Sequence, residues 1–111
     1  MKSPVTTTLI DDPVLVRFRR TLSDMYGERL ERVVLFGSRA RGDALPESDY
    51  DVAVFLHDMK DRWAEMNRLA DLGTAFIDET GEFVHAMPHH AGAYNERTPL
   101  MLTIRRDGID L

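Results

Sequence analysis

Asp49 and Asp51 stand two residues apart at the head of the apolar run Tyr50-Asp51-Val52-Ala53-Val54-Phe55-Leu56. Separated from Asp49 by ten residues, Gly37-Ser38 closes another apolar run, Val33-Val34-Leu35-Phe36. On a strand, residues i and i+2 share a face about 6–7 Å apart. Two like charges so placed repel unless a cation lies between them. Magnesium is the natural occupant, a hard ion held by one or two carboxylates together with substrate phosphates. Gly37 allows a sharp turn and a close backbone approach. The N–H groups that follow it, through Ser38-Arg39-Ala40-Arg41, form a concavity suited to anions. Ser38 adds a hydroxyl donor, and Arg39 or Arg41 can reach the same phosphates. Phosphoryl-type transfer needs metals and donors held in line more than it needs covalent chemistry from the protein.

Taken singly, each feature has a plainer reading: Asp-x-Asp at a strand end is commonly solvated surface, and Gly-Ser after a strand is commonly a turn. Together, at this spacing and between two buried runs, they indicate a site. The elements that must position them follow from pattern. Asp12-Pro13 caps and opens a helix whose apolar residues Val14, Leu15, Phe18, Leu22 and Met25 keep a helical period until Gly27. Arg32 to Phe36 and Tyr50 to Leu56 read as strands. A long helix runs from near Asp61 to Asp78, with Trp63, Met66, Leu69, Ala70, Leu72, Phe76 and Ile77 as its core stripe. Phe83 to Met87 reads as a third strand and Pro88 to Glu96 as loop. That loop places His89-His90 at the surface, where two adjacent histidines make a poor metal site. Thr98-Pro99 opens a last short helix closed by Gly108. The first ten residues read as a flexible lead-in. The expected fold is α/β (α+β): one domain over residues 1–111, a small mixed sheet of three to four strands with helices packed on one side.

Composition narrows the function. The net charge of −5 argues against direct nucleic-acid binding through bulk electrostatics. Twelve arginines against two lysines nevertheless favour phosphate handling over general basicity. With no cysteine, thiolate metal sites are excluded. The apolar runs are too short for a membrane span and the N-terminus lacks a signal-peptide core, so a cytoplasmic protein is expected.

The stretch from Val33 to Leu56 resembles, position for position, the G-S-x10-D-x-D signature of the polymerase beta-like nucleotidyltransferase superfamily. Its Gly-Ser-Arg-Ala-Arg-Gly lettering resembles the MNT, or minimal nucleotidyltransferase, group. The resemblance implies that Gly37 and Ser38 contact a triphosphate and that Asp49 and Asp51 ligate Mg2+, with ATP as substrate. The superfamily usually adds a third carboxylate on the next strand, which here contains no aspartate. Glu82, 31 residues beyond Asp51, lies nearest that place, and His85 is the other candidate. Members of the group are commonly antitoxins paired with HEPN-domain toxin ribonucleases, and some transfer AMP from ATP to a tyrosine of the toxin. Tyr26 and Tyr94 of this chain have no surroundings that single them out as modification targets. The resemblance therefore implies an AMP-transferring antitoxin in a hetero-oligomer with a HEPN-type toxin. The alternatives are an inactive antitoxin that neutralises by binding and, ranked last, a small-molecule nucleotidyltransferase of the aminoglycoside-modifying kind.

Overall fold

A computed structural model describes residues 11–111. The flexible lead-in expected over residues 1–10 lies outside the described residues. Helix α1 (Pro13–Tyr26) starts where Asp12 accepts a hydrogen bond from the Val14 N–H at 2.8 Å, with proline at the first helical position. A short 3-10 turn leads into strand β1 (Leu30–Phe36), which ends at Gly37 and the single-turn helix α2 (Ser38–Arg41). Strand β2 (Tyr50–Leu56) and helix α3 (Arg62–Thr80) follow. Asp61 caps α3 by accepting from the Ala64 N–H, and Gly81 closes it. Strand β3 (Val84–His90), a second 3-10 turn, helix α4 (Pro99–Asp107) and the two-residue strand β4 (Ile109–Asp110) complete the chain. Thr98 caps α4 as its Thr-Pro signature predicts.

The strand order is β3-β2-β1-β4. β1 runs antiparallel to β2 and β4, whereas β2 and β3 are parallel, with α3 as the crossover between them. Alternation along the strands divides the core in two. Val33, Leu35, Val52, Val54, Leu56, Val84 and Ala86 face α1 and α3, where Phe18 meets Phe76 edge-on at 5.2 Å. Val34, Ala53 and Phe55 face the other way, onto Met101 and Ile104 of α4. The mixed sheet is as expected, but helices on one side is corrected to two long helices on one face and a short one on the other. The physical reason lies in the strands themselves: Val34, Ala53 and Phe55 make their second face apolar too, and it must be covered.

Three local readings change as well. The third strand continues through Pro88, His89 and His90, because β3 pairs only with β2 and an edge strand tolerates a missing N–H. His89 is therefore buried beside Phe55 rather than placed on a loop, and burial, with Arg62 nearby, holds its imidazole below the ordinary value. Trp63 is 73% exposed and is no part of the core. The buried stripe of α3 is Glu65, Leu69, Gly73 and Phe76, and Trp63 stands two residues, about 200° of helical turn, from Glu65.

Gly73 lets α3 approach the sheet closely. A Cβ there would lie 2.6 Å from the Val84 carbonyl and 2.9 Å from the Phe83 ring. Gly73→Ala should therefore lower stability by about 1–3 kcal/mol in urea unfolding, outweighing the gain of about 1 kcal/mol in helix propensity. A higher midpoint would show instead that α3 can shift.

Glu65 is buried against the Tyr26 hydroxyl at 2.9 Å and the Arg29 guanidinium at 3.0 Å. Burial raises its carboxyl pKa, but hydrogen bonds from Arg29 and Tyr26 and the charges of Arg68 and Arg29 outweigh burial, leaving it below the ordinary value. A depressed folded pKa gives stability that is present above the unfolded value of about 4.3 and disappears as pH falls through the folded one. Glu65→Gln should flatten the acid limb of a stability–pH curve.

Candidate active site

The end of β1 and the start of β2 meet in register, Phe36 opposite Asp51. Immediately after Phe36 the chain turns at Gly37, whose φ of +77° is left-handed backbone. A Cβ at Gly37 would lie 2.5 Å from Oδ2 of Asp51. The Asp51 carboxylate thus lies against the Gly-Ser turn, in space that only glycine leaves free. In α2 the first hydrogen bonds run from the Ala40 and Arg41 N–H groups to the Gly37 carbonyl, so the Ser38 and Arg39 amides precede that ladder. Ser38 is half-buried at the turn, and Asp49 is exposed just before β2.

The other predicted residues separate. His85 is the parallel register partner of Asp51, with Nδ1 3.7 Å from Oδ1. Both remain open to solvent, their side chains 54% and 37% exposed. Glu82 precedes β3, and its carboxylate pairs with Arg39 at 3.4 Å. Arg39 is drawn to the loop carbonyls of Ser48 and Pro46. Arg41 lies exposed and pairs with Asp43. Gly37, Ser38, Asp51 and His85 therefore gather at one end of the sheet, with Asp49 exposed two residues before Asp51, and Arg39–Glu82 ties the loop to the residues before β3. A cleft of about 400 Å³ opens next to Asp49, bounded by Glu47, Ile77, Glu82 and Phe83. A smaller apolar hollow of about 230 Å³, between α1 and the end of the chain, is remote from these carboxylates.

The donor set suits a hard divalent cation: carboxylate oxygens at a turn where a missing side chain leaves room beside one of them. Among the described residues no three His, Cys, Asp or Glu side chains converge to hold an ion alone. Such an ion needs ligands from elsewhere, and magnesium typically takes them from substrate phosphates and water.

The profile of the family described as nucleotidyltransferase domain matches residues 15–96, from α1 through the site and beyond β3. The chain belongs to the nucleotidyltransferase domain family. Two Methanocaldococcus jannaschii proteins named as candidate protein adenylyltransferases are related to this nucleotidyltransferase domain. MJ0141 is 41% identical over 46 residues, 41% of this chain and 46% of its own length. MJ0604 is 26% identical over 87 residues, 78% of this chain and 81% of its own. The match thus spans under half of one relative and most of the other. Among solved structures, a toxin–antitoxin complex with AMP-PNP superposes with a TM-score of 0.59 at 20% identity, over 90% of this chain and 71% of that one. At that identity the likeness is one of fold, and the fold is the polymerase beta-like nucleotidyltransferase fold. No described helix is long and apolar enough to cross a membrane.

Two contacts of this nucleotidyltransferase domain had no signal in the sequence. The Arg39 guanidinium lies 4.1 Å from the centre of the Tyr50 ring. The Tyr50 hydroxyl in turn donates to Asp12 at 2.7 Å. Burial first, then that hydrogen bond, pushes the Tyr50 phenol well above its ordinary value. The Asp12 carboxylate therefore both caps α1 and anchors the first residue of β2.

Proposed function

We propose that this domain is an ATP-dependent protein adenylyltransferase that acts as an antitoxin on a HEPN-family ribonuclease in a hetero-oligomer. The observation that carries the proposal is the Asp51 carboxylate lying against the Gly37 turn. Polyphosphate and acid must meet at one point for nucleotidyl transfer, and the contact of the Asp51 carboxylate with the Gly37 turn supports such a meeting. The turn amides and Ser38 would bind the phosphates, and Asp49 and Asp51 would hold Mg2+. That ion, when bound, would neutralise charge developing on the phosphoryl oxygens. The acceptor hydroxyl attacks the α-phosphorus in line, its oxygen forming the new P–O bond as the bond to the leaving pyrophosphate breaks. The hydroxyl proton passes to solvent or to a base, and His85, open to solvent beside Asp51, is the side chain placed to receive it.

The protein adenylyltransferase names of the two relatives and the toxin–antitoxin fold neighbour support this reading. A second reading, neutralisation by binding alone, is favoured by one specific feature: Glu82 is held by Arg39, so the third position carries no free acid. Incubation with ATP, magnesium and the neighbouring gene product, followed by intact mass, tests the first reading. The expected product is that partner carrying one or more AMP groups. An unmodified partner, under conditions where the two chains form a complex, would overturn it.

A further inference from the structure

We propose that Arg39 is a positioning residue for Asp49 and not a phosphate ligand. The inference deepens the proposed function and rests on it, since Asp49 matters here as a metal ligand. The side chain of Arg39 is 16% exposed, and its Nε and Nη2 donors are engaged within the protein. Nε and Nη2 both donate to the Ser48 carbonyl, at 3.0 and 2.7 Å. Nη2 also reaches the Pro46 carbonyl at 3.2 Å and the Glu82 carboxylate at 3.4 Å. The guanidinium plane covers the Tyr50 ring, whose hydroxyl is fixed by Asp12. Asp49 thus stands between two anchored neighbours, Ser48 held through its carbonyl and Tyr50 held through its ring. Ser48 is itself locked in a turn, its N–H donating to the Leu45 carbonyl and its hydroxyl accepting from the Leu45 N–H.

The consequence is mechanical. A loop of polar and small residues joins β1 to β2, and its last residue must present a carboxylate at a repeatable place. One guanidinium, springing from the helix that follows Gly37, ties that loop to the start of β3. The phosphate-binding turn and the metal-binding aspartate are then held to one another by a single side chain. For Nε or Nη2 of Arg39 to reach a phosphate, the side chain would have to release Ser48 and Pro46, loosening the residue beside Asp49. Lysine could replace arginine as a point charge on a phosphate, but it cannot supply the planar fork or the stacked face.

The test compares Arg39→Ala and Arg39→Lys with the native chain, all checked for folding by circular dichroism. Three measurements are needed: Mn2+ affinity by electron paramagnetic resonance, ATP affinity in excess EDTA, and hydrogen exchange of the Leu45 and Ser48 amides. The expected result is loss of about tenfold or more in Mn2+ affinity for both variants, in the range found when a residue supporting a metal ligand is removed. Metal-free ATP affinity should stay within about twofold, since charge on phosphate is then the only interaction tested. Exchange at Leu45 and Ser48 should accelerate in both variants. Weakened metal-free ATP binding in Arg39→Ala that Arg39→Lys restores, with exchange unchanged, would overturn the proposal. If Arg39→Ala does not fold, Arg39→Lys decides alone: native-like exchange and Mn2+ affinity would overturn the proposal. A native chain that binds neither Mn2+ nor ATP would defeat the proposed function instead, and the exchange measurement would still judge the clamp.

Discussion

Asp49→Asn combined with Asp51→Asn should abolish AMP transfer, a fall of about a thousandfold or more, while the folded chain and its complex with the partner persist. Removing both carboxylates would remove the proposed ligands for the cation, whose charge stabilisation at a phosphoryl centre is worth several kcal/mol, and each 1.36 kcal/mol is tenfold in rate. Stability should hardly change: Asp49 is exposed and Asp51 partly so, and substitutions at such positions usually stay within about 0.5 kcal/mol. The measurement is the rate of adduct formation by mass spectrometry, beside thermal unfolding and co-purification with the partner. The same variant separates the two readings of function. If it protects against the toxin as well as the native chain does, neutralisation proceeds by binding, and transfer is not what disarms the partner.

Gly37→Ala is expected to lose most nucleotide and metal binding, by a factor of about ten to a hundred. The backbone of Gly37, φ +77° with ψ −160°, lies in a region open almost only to glycine and imposes about 1–3 kcal/mol on any residue with a Cβ. The larger effect is local: the new carbon would sit 2.5 Å from Oδ2 of Asp51, so the carboxylate or the turn must move. Gly81 provides the control, with a φ of +79° and nothing within 4 Å of its would-be Cβ. Gly81→Ala should show the cost of its own left-handed backbone (ψ 0°) in unfolding midpoint, with binding of Mn2+ and ATP intact. Equal loss of binding in the two variants would mean that the contact between Gly37 and Asp51 has no special role.

Much of the chain could be read from local signals because those signals are self-contained. A cap followed by proline at Asp12-Pro13 and Thr98-Pro99 places helix starts without reference to anything distant, and both stand where expected. The strand from Tyr50 to Leu56 is found by composition alone. Local pattern ends the third strand at Met87, and only its edge position, a property of the whole sheet, makes Pro88 admissible within it. Trp63 fits a stripe at helical spacing, yet its side chain faces solvent because the phase of α3 is set by Leu69, Gly73 and Phe76 against the sheet.

At the site the same division holds. The linear order of residues determined that a glycine-bent turn and two aspartates would lie at the ends of neighbouring strands, because strand, turn and alternation are short-range properties. Only tertiary structure decided how the more distant side chains were shared out. It directed Arg39 to Ser48, Pro46, Glu82 and Tyr50, removed Glu82 from the open end of the sheet, and set His85 opposite Asp51. Each of those pairings joins segments from different elements. Their partners are fixed by strand register and by competition for a limited number of donors, neither of which is encoded in any local stretch of sequence.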